Sequence, residues 1–443
     1  MCSNGDVFMD KKKLALNVAG KLADKGFQAY FAGGCVRDTI MGRDPADYDI
    51  ATDARPEQVM KIFPRSIPVG IQFGVVLVIE GDIHYEVSTF RKDSIYIDGR
   101  HPSSVGFSSS ARDDVVRRDF TINGLLYDPL QDKVLDYVEG IRDINRGIIR
   151  AIGDPEVRMG EDKLRIMRAI RFACRYGFPI EENTLSAIKK LVAKIEEVSI
   201  ERIRDELDKI IRGEHPGLGL QMLSDVGLMK YIISEVDSMK GVMQPEEFHP
   251  EGDVFTHTMI TLDLLRNPSR VLAFAALLHD VGKPKTFTRA ERIRFDGHVT
   301  VGARMADEIC RRLKFSNNER ERIVLYISNH LKFMDVKKMR EARLKRFMQD
   351  ETFEGQLELH RADCLASHGK LDNWEFCRQK LAGYSQEELR PAPLINGNDL
   401  KDAGYAPGPI FKQILAKVSD CQLENSIKTK EDALTWVKNN YKI

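Results

Sequence analysis

The chain has 443 residues, of which 30% are charged and 42% hydrophobic, and its 67 basic residues balance 67 acidic ones. At about 150 residues per domain, this length allows roughly three domains with real hydrophobic cores, which excludes a disordered chain and a small disulfide-stapled scaffold. The zero net charge excludes a uniformly basic nucleic-acid coat, although it leaves room for local basic patches.

The sequence also bears on where the protein works. No window holds the ~18 consecutive apolar residues that a membrane helix needs, and the start MCSNGDVFMDKKK lacks the apolar segment of a signal peptide. The cysteines are scattered and never form a C-x-x-C pair, which favours free thiols over disulfides or a zinc knuckle. We therefore expect a cytoplasmic protein with no membrane partner.

The first 150 residues mix helix and strand patterns. Residues 12–25 have helical periodicity, residues 73–90 predict a β-hairpin with an EGD turn, and the polar segment 91–114 predicts a mobile loop. Further strand patterns lie in QAYFAGG (28–34), ADYDIAT (46–52), KVLDYVEG (133–140) and GIIRAIG (147–153). This part of the chain is therefore expected to fold as an α/β domain.

After residue 154 the pattern changes to long amphipathic helices with almost no strands. Helical periodicity covers residues 160–176, 184–197 and 199–212, and Pro and Gly residues further along mark boundaries. These changes predict four parts along the chain, which are 1–150, 151–215, 216–370 and 371–443.

A pair of aspartates two residues apart follows a pair of glycines. Asp47 and Asp49, in the ADYDIAT strand pattern, would point two carboxylates to one side, where their charges repel unless a cation lies between them. Oxygen ligands on a rigid strand suit Mg²⁺, which keeps water and substrate phosphates in its shell. Gly33 and Gly34, directly after a strand, would let the backbone approach a triphosphate.

Taken alone, these residues are a weak signal. Most D-x-D pairs are solvated strand ends, and the glycines match neither the G-x-G-x-x-G pattern nor a Walker loop. A third acid, Glu86 in YEVSTFR, lies on a predicted strand. It would either complete the acidic set or be an ordinary exposed strand residue.

The RRDFTIN segment combines cations with hydrogen-bonding groups. The guanidinium groups of Arg117 and Arg118 match the geometry of phosphate oxygens. Asp119 and Asn123 would hydrogen-bond a ribose. A helix N-terminus with solvated basic residues explains the same pattern, and the segment alone favours that interpretation.

Asp162 and Arg165 lie three residues apart on the helix predicted for residues 160–176. They would share one face of that helix, and an acceptor held beside a donor presents an edge that can read a nucleobase. On spacing alone, an ordinary ion pair between the two residues is the better explanation.

These motifs occur together in one order. The chain contains GGCVRDTIMGRDPADYDIAT, IPVGIQFGVVLVIEG, YEVSTFR, RRDFTINGLLYDP and EDKLRIMRAIRFACRYGF, over roughly residues 20 to 215. Together they resemble the bacterial class II tRNA nucleotidyltransferases, the CCA-adding enzymes of the polymerase-β-like superfamily. The related poly(A) polymerases share the head but differ after the D-x-D pair. The resemblance implies an α+β fold, with a mixed-sheet nucleotidyltransferase head followed by an all-α neck, body and C-terminal domain.

The resemblance also implies roles for individual residues. Asp47 and Asp49 would bind two metal ions, taken to be Mg²⁺. Glu86 is added as a third catalytic acid because of its place on a predicted strand and not because of the resemblance. Asp162 and Arg165 would form a protein template for the incoming base. The full set of implied nucleotide-binding residues is Gly33, Gly34, Arg37, Arg117, Asp119, Asn123, Asp162, Arg165, Arg168 and Arg171.

The implied activity is template-independent addition of C, C and A to the 3′ end of tRNA from CTP and ATP. A terminal RNA hydroxyl attacks the α-phosphate of the nucleotide and pyrophosphate leaves, with two divalent ions at the attacking and leaving oxygens. The basic helices after Arg158 would follow the backbone of the acceptor stem. The sequence also leaves open that the protein adds only A or only CC. By resemblance to the family, the presence of segment 91–114 argues against an enzyme that adds only CC.

Histidines concentrate in the third part of the chain. Together with aspartates they form the ordered set His257, His279, Asp280, His298, His330 and Asp363. This order resembles the metal site of HD-superfamily phosphohydrolases. Imidazole and carboxylate ligands suit a transition metal such as Ni²⁺, Mn²⁺ or Co²⁺ better than Mg²⁺. The resemblance therefore implies an HD domain with a phosphohydrolase side activity.

Two rival classes of function are consistent with the same motifs. In the first, the protein is mainly a hydrolase that uses the HD site, and the head only binds RNA. In the second, the whole chain is a non-catalytic RNA-binding protein. The intact Asp47, Asp49, Asp162 and Arg165 argue against both.

Overall fold

The computed structural model describes residues 4–93, 105–289 and 291–442. The chain divides into two compact units, Met1–Ser234 and Glu235–Ile443, each with its own hydrophobic core. The four-part division expected from the sequence is finer than these two units and stays a prediction.

The N-terminal unit begins with a sheet and the helices around it. Its elements are α1 (Asn4–Ala23), β1 (Ala29–Ala32), α2 (Gly34–Ile40), β2 (Ile50–Thr52), α3 (Pro56–Ile62), β3 (Ser66–Gly70), β4 (Val75–Glu80), β5 (Ile83–Thr89), β6 (Arg91–Asp93), β7 (Val105–Phe107), α4 (Ala111–Val116), β8 (Leu125–Asp128), β9 (Lys133–Asp136) and α5 (Gly140–Arg146). Within the described residues, seven strands form one sheet in the order β3-β4-β5-β2-β1-β8-β9. The sheet is mixed, because β2 and β5 pair in parallel while the other neighbours pair antiparallel.

The long hairpin of β4 and β5 confirms the sequence-based prediction for residues 73–90. Val76 and Val78 on β4, and Tyr85 and Val87 on β5, are almost completely buried. Because side chains alternate along a strand, these four residues bring one face of the hairpin into the core. At the turn Gly81 has a φ of 63°, a left-handed conformation that glycine adopts without strain.

Three expectations about the head were wrong. In ADYDIAT the strand begins only at Ile50, so both aspartates precede it. GIIRAIG forms isolated bridges at Ile149 and Ala151, because its apolar residues are buried without a continuous strand partner among the described residues. Segment 91–114 contains β6 paired with β7 and then α4, which the Ser110 side chain caps; residues 94–104 lie outside the described residues.

The rest of the N-terminal unit is helical. It contains α6 (Pro155–Glu161), α7 (Leu164–Tyr176), α8 (Glu182–Leu191), α9 (Ile200–Ile211), α10 (Pro216–Asp225) and α11 (Met229–Ile232), with a 3-10 helix at Val192–Glu197. The single helix predicted for residues 160–176 is therefore two helices. Asp162 interrupts it with φ −141° and ψ 106°, and its side chain accepts a hydrogen bond from the Leu164 amide at 3.1 Å.

The C-terminal unit is almost entirely helical. Its elements are α12 (Ser234–Asp237), α13 (Val254–Leu264), α14 (Arg270–Leu278), α15 (Lys283–Thr286), β10 (Thr288–Arg289), β11 (Ile293–Arg294), α16 (His298–Arg312), α17 (Asn317–Asn329), a 3-10 helix (His330–Lys338), α18 (Glu341–Met348), α19 (Phe353–Ala366), α20 (Asp372–Gly383), α21 (Gln386–Leu389), α22 (Gly397–Asp402), α23 (Pro409–Leu423) and α24 (Lys430–Asn440). Helices α13, α14, α16, α17 and α19 pack on one another. Helices α22 to α24 surround a separate apolar cluster that includes Leu400, Ile414 and Val437.

Two further features of the structure concern the state of the cysteines and the length and polarity of the helices. Cysteines that the structure describes are free thiols, namely Cys35, Cys174, Cys310, Cys364, Cys377 and Cys421. Among the described residues, no helix combines the length and the apolar character needed to cross a membrane.

Candidate active site and metal centre

A polar pocket of about 750 Å³ opens in the N-terminal unit between the sheet and α7. Every nucleotide-binding residue expected from the motifs lines this pocket, and so do both aspartates of the D-x-D pair. The lining residues include Gly33, Gly34, Arg37, Asp47, Asp49, Arg117, Arg118, Asp119, Asn123, Asp162, Arg165, Arg168, Arg171, Phe172, Arg175, Arg202 and Lys209. Folding therefore brings five separate segments of sequence to one surface.

Two acidic side chains, Asp47 and Asp49, line one side of this pocket, and the predicted third acid, Glu86, lies beside them outside the pocket lining. Asp47 and Asp49 are exposed and lie just before β2, while Glu86 is exposed on the neighbouring β5. The parallel register pairs Ile50 with Val87, which brings Glu86 next to Asp49. Although Asp49 keeps solvent-exposed surface, partial burial of its carboxylate raises its pKa to about 6, and the charge of Glu86 adds to that effect. Such carboxylates favour a bound cation.

The two glycines differ in whether a side chain would fit in their place. Gly33 has a φ of 67°, and a Cβ placed on it would lie 2.9 Å from Nη1 of Arg118. A Cβ on Gly34 would meet only the Arg37 side chain, at an ordinary 3.6 Å. Gly33 is therefore the residue that lets Arg118 approach the backbone beside the acids.

Arg117 and Arg118 share a buried acid that the sequence analysis missed. Asp114 Oδ1 lies 2.5 Å from Arg117 Nη2, and its Oδ2 lies 2.8 Å from Arg118 Nη2. Burial alone would raise the pKa of Asp114, but the two guanidinium groups outweigh it and hold that pKa below its usual value. Asp114 precedes Arg117 by three residues and Arg118 by four, and side chains at these spacings meet on a helix. This spacing is the signal in the sequence that would have identified Asp114.

Asp119 and Asn123 bond to arginines within the protein. Arg168 Nη2 lies 2.6 Å from Asp119 Oδ2, and Asn123 Nδ2 donates to Asp119 Oδ1 at 3.1 Å. The Asn123 side-chain oxygen accepts a hydrogen bond from Arg37. Burial would raise the pKa of Asp119, but Arg168 and Asn123 lower it to about 2. The first role of this network is thus to hold the orientation of Arg37 and Arg168.

The ion pair between Asp162 and Arg165 that spacing alone favours does not form. Asp162 Oδ2 instead lies 2.7 Å from Nη2 of Arg202 on α9. Arg165 donates to Glu161 Oε2 at 2.6 Å and to the Arg117 carbonyl at 3.0 Å. The reason is the helix break, which removes Asp162 from the shared helical face, yet both residues still line the pocket.

Aromatic rings on α7 support the basic wall of the pocket. The Arg171 guanidinium lies 4.4 Å from the centre of the Phe172 ring, and that of Arg37 lies 5.0 Å from the Tyr176 ring. Arg171 also pairs with the buried Glu206 at 2.8 Å. Phe172, Tyr176 and Glu206 were missed in the sequence. The four-residue spacing of the two rings among arginines is the signal that would have identified Phe172 and Tyr176.

A second cluster lies in the C-terminal unit, where the predicted histidines and aspartates converge. The members are His257 on α13, His279 and Asp280 after α14, His298 at the start of α16, His330 after α17 and Asp363 on α19. Ligand atoms of His257, His279 and Asp280 all lie within 4.8 Å of one another, and so do those of Asp280, His298 and His330. His257 Nε2 lies 3.0 Å from Asp363 Oδ1. Asp280 therefore belongs to both groups, so the six residues form one continuous set of possible metal ligands.

The imidazole rings are oriented in one common way. Nδ1 of His279, His298 and His330 each contacts a backbone carbonyl three residues earlier, at 2.8, 2.8 and 2.7 Å. This leaves each Nε2 directed to the cluster, as in metal sites whose histidines are fixed through their second nitrogen.

The chemistry of this cluster fits a metal ion. Within the described residues, the buried His279 Nε2 and Asp280 Oδ1 have no hydrogen-bond partner, which is costly unless a cation binds them. Burial lowers the pKa of His330 to about 4, so its imidazole stays neutral and able to coordinate. The residues therefore suit a divalent metal.

Two polar residues around this cluster were missed. Glu251 Oε1 lies 2.6 Å from Nδ1 of His257 and 2.9 Å from Nδ1 of His249. Lys283 is buried with its Nζ 2.7 Å from Asp280 Oδ2. Lys283 ends the HDVGK sequence that begins with His279 and Asp280, which would have pointed to it. For Glu251, the only feature of the sequence that could have indicated a role is its closeness to His257.

Three families match the chain in order. A poly A polymerase head domain matches residues 29–150, a probable RNA and SrmB- binding site of polymerase A matches residues 177–240, and an HD domain matches residues 254–366. The head and HD families are metal-dependent.

Proteins similar over nearly the whole chain include CCA-adding enzymes. That of Ligilactobacillus salivarius (strain UCC118) is 34% identical over 432 residues, which are 95% of this chain and 95% of that protein. That of Staphylococcus haemolyticus (strain JCSC1435) is 30% identical over 96% of each. The crystal structure of Bacillus stearothermophilus CCA-adding enzyme in complex with CTP covers 97% of both chains at 26% identity, with a TM-score of 0.77. The expected fold class is thereby confirmed, and the chain belongs to the family of CCA-adding enzymes.

Proposed function

We propose that this protein adds C, C and A in turn to the 3′ end of tRNA in the cytoplasm, using CTP and ATP. One observation carries the proposal: a single pocket combines two carboxylates, a wall of guanidinium groups and the Asp162 acceptor. Carboxylates suit metal-bound phosphates, guanidinium groups suit a triphosphate, and a fixed acceptor suits a nucleobase. The names of the relatives support the same activity.

Asp47, Asp49 and Glu86 are proposed to hold Mg²⁺. Their donors are oxygen atoms and they are open to solvent. Partial burial and the charges of Glu86 and Asp47 raise the pKa of Asp49 to about 6 even though Arg118 opposes the shift, so a bound cation would stabilise this group of carboxylates. Bound divalent ions stabilise the attacking and leaving oxygens of such a transfer. The carboxylates of this chain would position that charge where β2 begins, beside β5 in the middle of the sheet.

The triphosphate would lie against the glycine pair and the arginines. Gly33 keeps the backbone accessible, while Arg37, Arg117 and Arg168 present donors whose orientation is set by buried acids and Asn123. Because these donors are held in place before the substrate arrives, little reorganisation is needed during the reaction. The incoming base would meet Asp162 and Arg165, and the helices after Arg158 would contact RNA.

The proposed activity is tested by incubating the purified protein with tRNAs that end at the discriminator base, at C, at CC and at CCA, each with CTP, ATP or both. We expect CTP to extend the first two substrates to CC, ATP to extend only CC, and CCA to stay unchanged. Extension of CC alone, or arrest at CC with both nucleotides present, would instead identify an enzyme that builds part of the tail.

The histidine cluster supports a second candidate function, a metal-dependent phosphoesterase. The observation that favours it is the common direction of the Nε2 atoms toward Asp280, with Nδ1 already bonded elsewhere. Mixed imidazole and carboxylate ligands suit Ni²⁺, Mn²⁺ or Co²⁺. A bound metal of this kind activates water for attack on phosphorus. Suitable substrates are phosphoesters such as 2′,3′-cyclic phosphates.

Replacing His279 or Asp280 by Ala is expected to remove this phosphoesterase activity and to leave nucleotide addition unchanged, because the two sites lie in different units. The measurement is hydrolysis of a 2′,3′-cyclic nucleotide with added Ni²⁺, Mn²⁺ or Co²⁺, together with metal analysis. His368→Ala is the matched control, since that exposed histidine lies outside the cluster. A wild-type protein that neither binds a transition metal nor hydrolyses the ester would make the cluster structural.

A further inference from the structure

The segment that carries the paired aspartates is held by few backbone contacts. Asp47 and Asp49 precede β2, so ladder pairing does not begin until Ile50. The Asp49 carbonyl accepts a hydrogen bond from the Ala32 amide at 3.0 Å. One residue before the pair, the Ala46 carbonyl accepts from Lys11 Nζ at 3.1 Å. The Cys35 thiol also hydrogen-bonds the backbone of Asp49. The peptide groups that precede Asp49 need a further anchor if both carboxylates are to keep a constant separation.

Tyr48, between the two aspartates, is placed to supply that anchor. Its ring lies 5.3 Å from the Phe31 ring at an interplanar angle of 62°, an edge-to-face contact with the residue at the centre of β1. Phe31 in turn lies 6.0 Å from the Tyr127 ring on β8. Asp47 and Asp49 line the large polar pocket, whereas Tyr48 lines a separate and mainly apolar cavity of about 260 Å³.

We propose that Tyr48 is a positioning residue that sets the spacing of the Asp47 and Asp49 carboxylates through its ring contact with Phe31. Fixing the side chain between the aspartates fixes the two peptide groups that flank it, and so limits the directions of both neighbouring carboxylates. The cavity beside the ring leaves unfilled space, so a smaller side chain would let this segment shift instead of being held by surrounding atoms. This inference rests on the proposed metal-binding role of the aspartates.

The test compares Tyr48→Ala with Tyr48→Phe, each in an Asp280→Ala background so that the histidine cluster does not take up metal, with Mn²⁺ as a spectroscopic replacement for Mg²⁺. The readout is free Mn²⁺ measured by electron paramagnetic resonance during titration with Mn²⁺ at a fixed CTP concentration and without tRNA, where no turnover occurs. A protein-free titration gives the Mn²⁺ that CTP binds alone, and this is subtracted. Tyr48→Ala should bind Mn²⁺ about tenfold more weakly, the usual scale for losing a residue that orients metal ligands. It should also need more Mg²⁺ for half-maximal addition. Tyr48→Phe keeps the ring and should match the wild type.

Thr39→Ala is the matched control, because Thr39 lines the same apolar cavity but lies on α2, outside the aspartate segment. Wild-type Mn²⁺ affinity in Tyr48→Ala would overturn the inference, and so would equal weakening in Tyr48→Phe or Thr39→Ala. If Tyr48→Ala loses its circular dichroism spectrum, Tyr48→Leu replaces it under the same criteria. Failure of the wild-type protein to extend tRNA would contradict the proposed function, whereas Mn²⁺ binding decides the role of Tyr48 separately.

Discussion

Asp47→Ala and Asp49→Ala are each expected to abolish nucleotide addition while tRNA binding stays largely intact. Each change removes an oxygen ligand from the acidic side of the pocket, where bound metal is proposed to stabilise charge on the reacting phosphate. Since such stabilisation amounts to several kcal/mol, the rate should fall by about a thousandfold or more. Single-turnover incorporation of labelled CTP measures the rate, and filter binding measures the affinity for tRNA.

Asp44→Ala is the control for both variants. Asp44 is an exposed acid in the same segment, but it does not line the pocket. It should therefore behave as wild type although it removes the same charge. Incorporation close to the wild-type rate by either Asp47→Ala or Asp49→Ala would disprove the two-metal assignment.

Asp162→Ala is expected to lose discrimination against UTP and GTP to a greater extent than it loses triphosphate binding. An ionised carboxylate only accepts hydrogen bonds. Cytosine and adenine present an amino donor to it, whereas uracil and guanine present a carbonyl in the same place. The Asp162 carboxylate is held by Arg202 at 2.7 Å and by the Leu164 amide at 3.1 Å, so it cannot turn away to tolerate a carbonyl. Rejection of the wrong base is strong for this reason.

The measurement is single-nucleotide incorporation with all four triphosphates on the same tRNA. Use of UTP and GTP relative to CTP should rise by about tenfold or more in Asp162→Ala, since an unpaired buried polar group costs about 1–3 kcal/mol. Arg165→Ala should instead weaken use of the correct nucleotides. Asp205→Ala, an acid on α9 outside the pocket lining, is the control. An unchanged preference in Asp162→Ala would mean that base choice resides elsewhere.

The membership of the head site could be predicted because each motif has a local requirement. Two aspartates at a spacing of two, a pair of glycines after a strand and paired arginines are visible in the sequence without knowledge of distant partners. The pocket contains each residue that was predicted to bind the nucleotide. The histidine order likewise predicted a cluster that the structure brings together.

The partners of these residues could not be predicted in the same way. On spacing alone Asp162 would pair with Arg165, three residues away, but it pairs with Arg202, which is 40 residues away. The change depends on a helix break and on how α9 packs against α7. Spacing along a helix is informative only while the helix continues.

The chemical groups at the two sites, namely oxygen donors, guanidinium groups and imidazoles, can be read from the residue types alone. What holds each group in place became visible only in the folded protein: Asp114 between two arginines, Glu251 behind His257, and the Tyr48 ring against Phe31. Burial and hydrogen-bond geometry arise from contacts between elements distant in the chain, whereas a motif records residue types over a short range.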